Sequence, residues 1–216
     1  MSTSLLLLLS YLNLFSLLIP IGIGLFRWSY LSTSLRIAWA GLLSYFLLFS
    51  LSMLQPMGYF PFDSRYISYA MPLLFGAAFT GCYAQAVTDK PSRRLILGLG
   101  LIGLTSLLIE ATLKLNELTV STIAIPIQTI INTIIPLIYL RYVTQTATTS
   151  LLAIPLFWIT MGRLVSSLTS TLYDALRGPM IESSRELLIN WLLCQLCITI
   201  VCNVVYGIGF WKIRRS

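Results

Sequence analysis

The sequence predicts an all-α polytopic integral membrane protein: a single domain, residues 1–216, built as a bundle of seven transmembrane helices with the N-terminus outside and the C-terminus inside. Three observations carry that expectation. Hydrophobic residues make up 57% of the chain and charged residues 10%, against about 25% charged in a soluble domain. The apolar residues fall into seven segments, roughly 4–26, 37–60, 66–88, 95–115, 123–143, 151–175 and 186–211, each near the ~20 residues that cross a bilayer. Between them lie short polar breaks that hold most of the lysines and arginines.

The first segment resembles a signal peptide only superficially. No Lys or Arg precedes its apolar run, the run is too long, and no small-residue cleavage site stands before Arg27. It is expected to remain as the first span. The second segment contains Gln55-Pro56-Met57-Gly58, which is expected to end regular helix early. In the third, Gly76 with Thr80 and Ala77 with Gly81 place small residues four apart, a spacing that lets helices approach closely. The fourth carries Glu110, the fifth Gln128 and Asn132 one turn apart on one face, and the seventh Asn190 and Gln195. Prolines at 20, 56, 72, 126, 136 and 155 are expected to kink their helices by removing in-helix hydrogen bonds.

The sixth segment organises the rest. Pro155 to Asp174, PLFWITMGRLVSSLTSTLYD, holds Arg163 at bilayer depth, where a charge is costly and usually functional. Ser167, Ser170 and Asp174 follow Arg163 at steps of four, three and four, which puts all four side chains on one helical face. That polar stripe must meet other helices or a watery cavity rather than lipid. The structural alternative is a buried ion pair, Glu110 with Arg163, and Ser hydroxyls gluing a bundle together.

Orientation follows from charge. With an odd number of spans, one side holds Arg27, Arg36, Lys90, Arg93, Arg94, Arg141, Lys212, Arg214 and Arg215, and the other holds Arg65, Lys114, Arg177 and Arg185. The positive-inside rule makes the first side cytoplasmic, and Trp28, Trp39 and Trp211 near that side suit an aromatic belt. At ~1.5 Å per residue, Arg163 falls near the middle of the membrane or just outside it. Glu110 falls in the outer third, Gln128, Asn132, Asn190, Gln195, Gln55, Tyr66 and Tyr69 in the outer half, and Asp174 at the outer mouth. The inner half is poorer, with Asn13, Gln85 and Asn203 as its amides.

The chemistry narrows the function classes. The chain has no histidine, so no Ser-His or Cys-His nucleophile can form. Cys194 and Cys197 make a CxxC inside an apolar span with no second pair, and with Cys82 and Cys202 they read as small packing residues. Asp63, Asp89 and Asp174 lie at span ends or in loops, and no Gly-rich phosphate loop is present. The expectation is therefore a non-enzyme with no catalytic residue, no metal and no cofactor. A retinal pigment would need a lysine inside the last span, and Lys90, Lys114 and Lys212 are all elsewhere. The net charge of +7 sits in loops as topology requires, so no nucleic-acid partner is expected.

The stretches LLIPIGIGLF at 17–26, LRIAWAGLLSYFLLFSL at 35–51, PLFWITMGRLVSSLTSTLY at 155–173 and ITIVCNVVYGIGFWKIRRS at 198–216 resemble small, uncharacterised bacterial seven-helix membrane proteins, often encoded beside sensor histidine kinases. The chain lacks the acidic residue in the second span and the His-Tyr near the third that such proteins often carry. The resemblance implies a multi-pass protein of the inner (plasma) membrane, an input module coupled to a sensor kinase or another membrane protein.

The functional expectation is a receptor-like module in the lipid bilayer. A small ligand or lipid would bind from the outer face near Arg163, Glu110, Gln128, Asn132, Gln195, Ser167 and Asp174, and the cytoplasmic loops would report it. The rival readings are a small-solute transporter, which would need polar groups reaching both faces, and a structural subunit whose polar stripe faces a membrane partner.

Overall fold

The computed structural model describes residues 2–54, 64–114, 123–183 and 185–213. Its regular structure is helical: α1 Ser2–Phe26, α2 Thr33–Leu54, α3 Ser64–Ala86, α4 Lys90–Lys114, α5 Ala124–Thr146, α6 Pro155–Ser183 and α7 Arg185–Trp211, with single 3-10 turns at Trp28–Tyr30 and Leu151–Ala153. Six of the seven helices are long and apolar enough to cross a membrane. The expectations placed on Gln55 to Gly58, Asp63, the 116–122 connection, Arg214 and Arg215, and on the side chains of Arg65, Lys114, Arg177 and Arg185, lie outside what is described.

The exception is α6, and its composition shows why. Its polar residues Arg163 and Ser167 are buried, while Val165, Leu168, Leu172 and Leu176 are exposed. Those four recur at helical spacing and form an outward apolar stripe. The polar groups that lower its mean hydropathy are turned inward.

Each helix packs on its neighbour in the chain, as short connections dictate, and α7 returns to pack on α1. Because α3 also touches α5, α4 is left in the groove outside that pair. Small residues make the closest seams, as expected for α3. Gly41 of α2 faces Ala78, and Gly100 of α4 receives the Thr80 side chain so closely that a Cβ would collide with it.

The prolines divide into two groups. Pro20, Pro72 and Pro136 lie inside α1, α3 and α5. Pro155 is instead the first residue of α6, and Pro126 lies in the first turn of α5. In a first turn the missing N–H would have had no partner, so these two start helices rather than kink them.

Among the described residues, the bundle is packed at one end and hollow at the other. Leu31, Leu35, Val87, Val143, Leu156, Phe210 and Ile213 belong to one buried cluster, at the end where the 27–32, 87–89 and 147–154 connections lie. There the Trp39 ring fills the space left by Gly24, its Nε1 donates to the Ile21 carbonyl at 2.9 Å, and it meets Trp28 edge-on at 5.0 Å. Arg27 lies over Trp211 and donates to the Ile213 carbonyl, closing α1 on α7. Asp89 caps α4 by accepting from the Ser92 N–H at 3.0 Å and its hydroxyl at 2.6 Å, bonds that hold its carboxyl below the usual carboxylate range. The second buried cluster, toward the opposite end, comprises Tyr69, Leu107 and Ala124 among the described residues.

Candidate functional site

The hollow end contains a cavity of about 260 Å³ lined by six of the seven helices. Leu17 comes from α1, and Leu42 and Tyr45 from α2. Ser68, Met71, Pro72 and Phe75 come from α3, Thr129 and Asn132 from α5, Arg163, Ser166 and Ser170 from α6, and Thr199, Asn203 and Tyr206 from α7. No described residue of α4 is in the lining. The lining reaches Ser68 and Ile125 near the first turns of α3 and α5, so the cavity runs from that end of the bundle inward to Arg163.

Arg163 sits two turns in from Pro155, and α6 continues past Asp174 to Ser183. It is 6% exposed. Its guanidinium lies 4.3 Å from the Phe75 ring centroid and 5.1 Å from that of Phe79. Phe75 and Phe79 are one turn apart on α3, so together they form an aromatic floor for the cation. Around it stand neutral groups: the phenols of Tyr206, Tyr83 and Tyr45 and the thiol of Cys202. No carboxylate among the described residues is in ion-pair reach, and the Nε atom makes no hydrogen bond. The expected structural alternative, a pair between Arg163 and Glu110, is therefore not what the fold builds.

Glu110 faces elsewhere. It is buried on α4, and its carboxylate accepts the backbone N–H of Ala124, the first residue of α5. A carboxylate placed there satisfies one of the orphan donors of a helix start and meets the positive end of the helix dipole. It lines a separate, almost wholly apolar hollow with Ser106, Ile109, Leu113 and Ile123. Its role is to tie α4 to α5.

Gln128 and Asn132 share a face of α5, yet one turn separates two environments. Asn132 lines the cavity. Gln128 is 1% exposed, and both its amide atoms lack hydrogen-bond partners. Its side chain is wedged where Gly76 of α3 and Gly103 of α4 leave room, Nε2 against the first and Oε1 against the second. Gln128 is thus a plug in the α3–α4–α5 junction rather than part of the cavity lining.

The rest of the α6 stripe divides between cavity and seam. Ser170 lines the cavity and accepts from Gln195 Nε2 at 3.3 Å. Ser167 is buried and its hydroxyl turns back to the Leu164 carbonyl at 3.1 Å, while Thr171 and Thr133 meet across α5 and α6 at 3.5 Å. Asp174 accepts from Thr129 at 3.2 Å, fixing a residue that does line the cavity. Of the other polar residues expected in the outer half, Tyr66 and Asn190 are exposed, and Tyr69 is buried with an unbonded hydroxyl. Cys82 and Cys202 pack inside as expected, whereas Cys194 and Cys197 face outward from α7, and all four are free thiols.

Several lining residues were not singled out from sequence. Asn203 is the strongest: its Nδ2 donates to Asn13 Oδ1 at 3.0 Å and to Ser16 Oγ at 2.8 Å, and Ser16 donates to the Asn13 carbonyl at 2.7 Å. This buried polar knot clamps α1 to α7 at the cavity wall. Phe75 and Tyr45 meet at 5.1 Å, and from them a run of aromatic contacts passes through Phe79 and Tyr83 to Tyr139. The i, i+4 spacing of Phe75, Phe79 and Tyr83 was the available signal, but aromatic rows on apolar helices most often mean packing alone.

Comparison with protein-family models, with curated proteins and with solved structures yields no match.

Proposed function

We propose that the chain is a non-enzymatic, receptor-like membrane module whose central cavity binds a small ligand or lipid reaching it from the outer face. The basic end of the bundle would then pass the bound state to a partner, a sensor kinase or another membrane protein. The observation that carries this reading is Arg163: a buried cation with no carboxylate among the described residues, facing a cavity. Such a group is expensive to keep. A bound anion would offset that cost.

Seven spans in an N-out, C-in orientation fit this reading. Helix α6 stands between α5 and α7 with its apolar stripe outward and its polar face inward, as a span in a bundle requires. Arg27, Arg36, Lys90, Arg93, Arg94, Arg141 and Lys212 all belong to the packed end, which the positive-inside rule would place in the cytoplasm. The cavity then faces outward. The apolar packing of Leu35, Phe79, Ile159 and Phe210 beyond Arg163 weighs against a through-path for solute and so against the transporter. The aromatic run from Tyr45 to Tyr139 is the rigid element best placed to carry a change at the cavity toward the basic end.

Native mass spectrometry of the protein released from its own membranes tests this. The wild-type chain is expected to carry a non-protein mass that Arg163→Met lacks. Identical bare masses for both proteins would remove the main support for a receptor.

A further inference from the structure

Resting on that reading, the shape and chemistry of the cavity point to a class of ligand. We infer that it takes an amphipathic monoanion, a carboxylate carried on an acyl chain, with the carboxylate at Arg163 and the chain leading out through a cleft between α1 and α2.

The head of the ligand is set by what surrounds Arg163. One guanidinium provides one positive charge, and among the described residues no acidic side chain lines the cavity. Donors for a carboxylate's remaining lone pairs stand nearby: the Asn132 amide, the Ser166 hydroxyl and the Tyr206 phenol. The planar guanidinium, with its forked N–H donors, matches the planar fork of a carboxylate. The walls beside it, Leu17, Leu42, Met71 and Phe75, are apolar, which suits a chain better than a hydrated ion.

The route for the chain is a second hollow of about 430 Å³ that shares Tyr45 and Thr199 with the first. Helices α1 and α2 are pinned together at their connected ends by Trp39 against Gly24 and Ile21. Toward their other ends this hollow stands between them. Leu6, Ser10 and Asn13 of α1, Phe49 of α2 and Leu192 and Leu196 of α7 line it. The flank around it bears exposed Leu5, Leu12, Leu47 and Leu54, the surface a bilayer would cover. Tyr45 and Thr199 therefore stand at the boundary between a cleft beside lipid and a chamber holding a cation with no carboxylate partner among the described residues. Gln195 spans the same boundary, lining the cleft while donating to Ser170 of the chamber.

The test uses the full chain in nanodiscs of zwitterionic lipid and three probes: dodecanoate, acetate and dodecyltrimethylammonium. Binding is read by saturable thermal stabilisation and by direct titration. Dodecanoate is expected to bind at least tenfold more tightly than acetate, and the cationic amphiphile not to saturate. Arg163→Gln should lose dodecanoate at least tenfold. Ser10→Phe, which fills the cleft at a position outside the chamber lining, should weaken dodecanoate at least tenfold more than it weakens acetate. Equal affinity for acetate and dodecanoate, both lost in Arg163→Gln, would overturn the acyl-chain inference while leaving the receptor reading standing. Equal binding of dodecanoate and dodecyltrimethylammonium would overturn it too, since the chain alone would then be partitioning. No binding of any probe, together with a bare native mass, would remove both readings. The three probes on the wild-type chain decide the matter even where a variant does not fold.

Discussion

Arg163→Met is expected to raise the melting temperature of the ligand-free protein and to abolish its stabilisation by an anionic ligand. The argument weighs two magnitudes. Burying an ion costs several kcal/mol even after relaxation, and here no carboxylate among the described residues repays it. The contacts with Phe75 and Phe79 return about 2 kcal/mol for a desolvated cation. Methionine has a similar reach, no charge and enough flexibility to fill the space beside two rings. Replacing buried charges by well-packed apolar groups is often neutral or stabilising by about 1–4 kcal/mol. The check is thermal unfolding in nanodiscs with and without ligand. A ligand at a hundred times its Kd would add about 2.7 kcal/mol to the wild type and nothing to the variant. A loss of about 3–5 kcal/mol in the ligand-free variant, the size expected when a buried pair is broken, would show that Arg163 is scaffold.

The second large effect is expected at the junction of α3, α4 and α5. Gly103→Ala should destabilise by about 1–3 kcal/mol, the usual cost of forcing extra volume into a packed core. A Cβ there would collide with Gln128 Oε1, and it would also stand 3.1 Å from Gln128 Cδ and 3.2 Å from Ile131 Cδ1. Gln128 cannot swing clear, because Gly76 holds its other amide atom and the residue is fully enclosed. The double variant Gly103→Ala with Gln128→Ala removes the colliding atoms, so the two changes should couple by about 1–2 kcal/mol rather than add. Thermal unfolding of the four proteins in one cycle measures this. Additive losses would mean that Gln128 does not occupy the slot as described.

These two sites show what could and could not be read from the chain. The helices were legible because most are long apolar runs between polar breaks, and six of the seven are long and apolar enough to cross a membrane. The inward stripe of α6 was legible as well, since steps of three and four residues fix a face whatever surrounds it. Helix rotation and neighbours were not. Helix α4 is apolar nearly all round, so nothing in its pattern reveals that it lies outside the ring and turns Glu110 to the start of α5. Gln128 and Asn132 share a face, yet a single turn of α5 moves from a glycine-lined slot to the cavity. Depth alone could not separate them. Tyr45, Phe75 and Tyr206 were passed over because an aromatic residue in an apolar helix looks the same whether it lines a chamber or fills a core. Asn203 was noticed only as an inner-half amide, because its partners Asn13 and Ser16 lie almost two hundred residues away in sequence.

The most direct measurement of the central claim is an experimental density map of the protein in native lipid, read at the Arg163 guanidinium. The account predicts a feature that is not protein beside Arg163 and Asn132, continuing past Tyr45 and Thr199 toward the cleft between α1 and α2. A guanidinium bonded to Glu110 or Asp174, with the chamber collapsed around it, would contradict it.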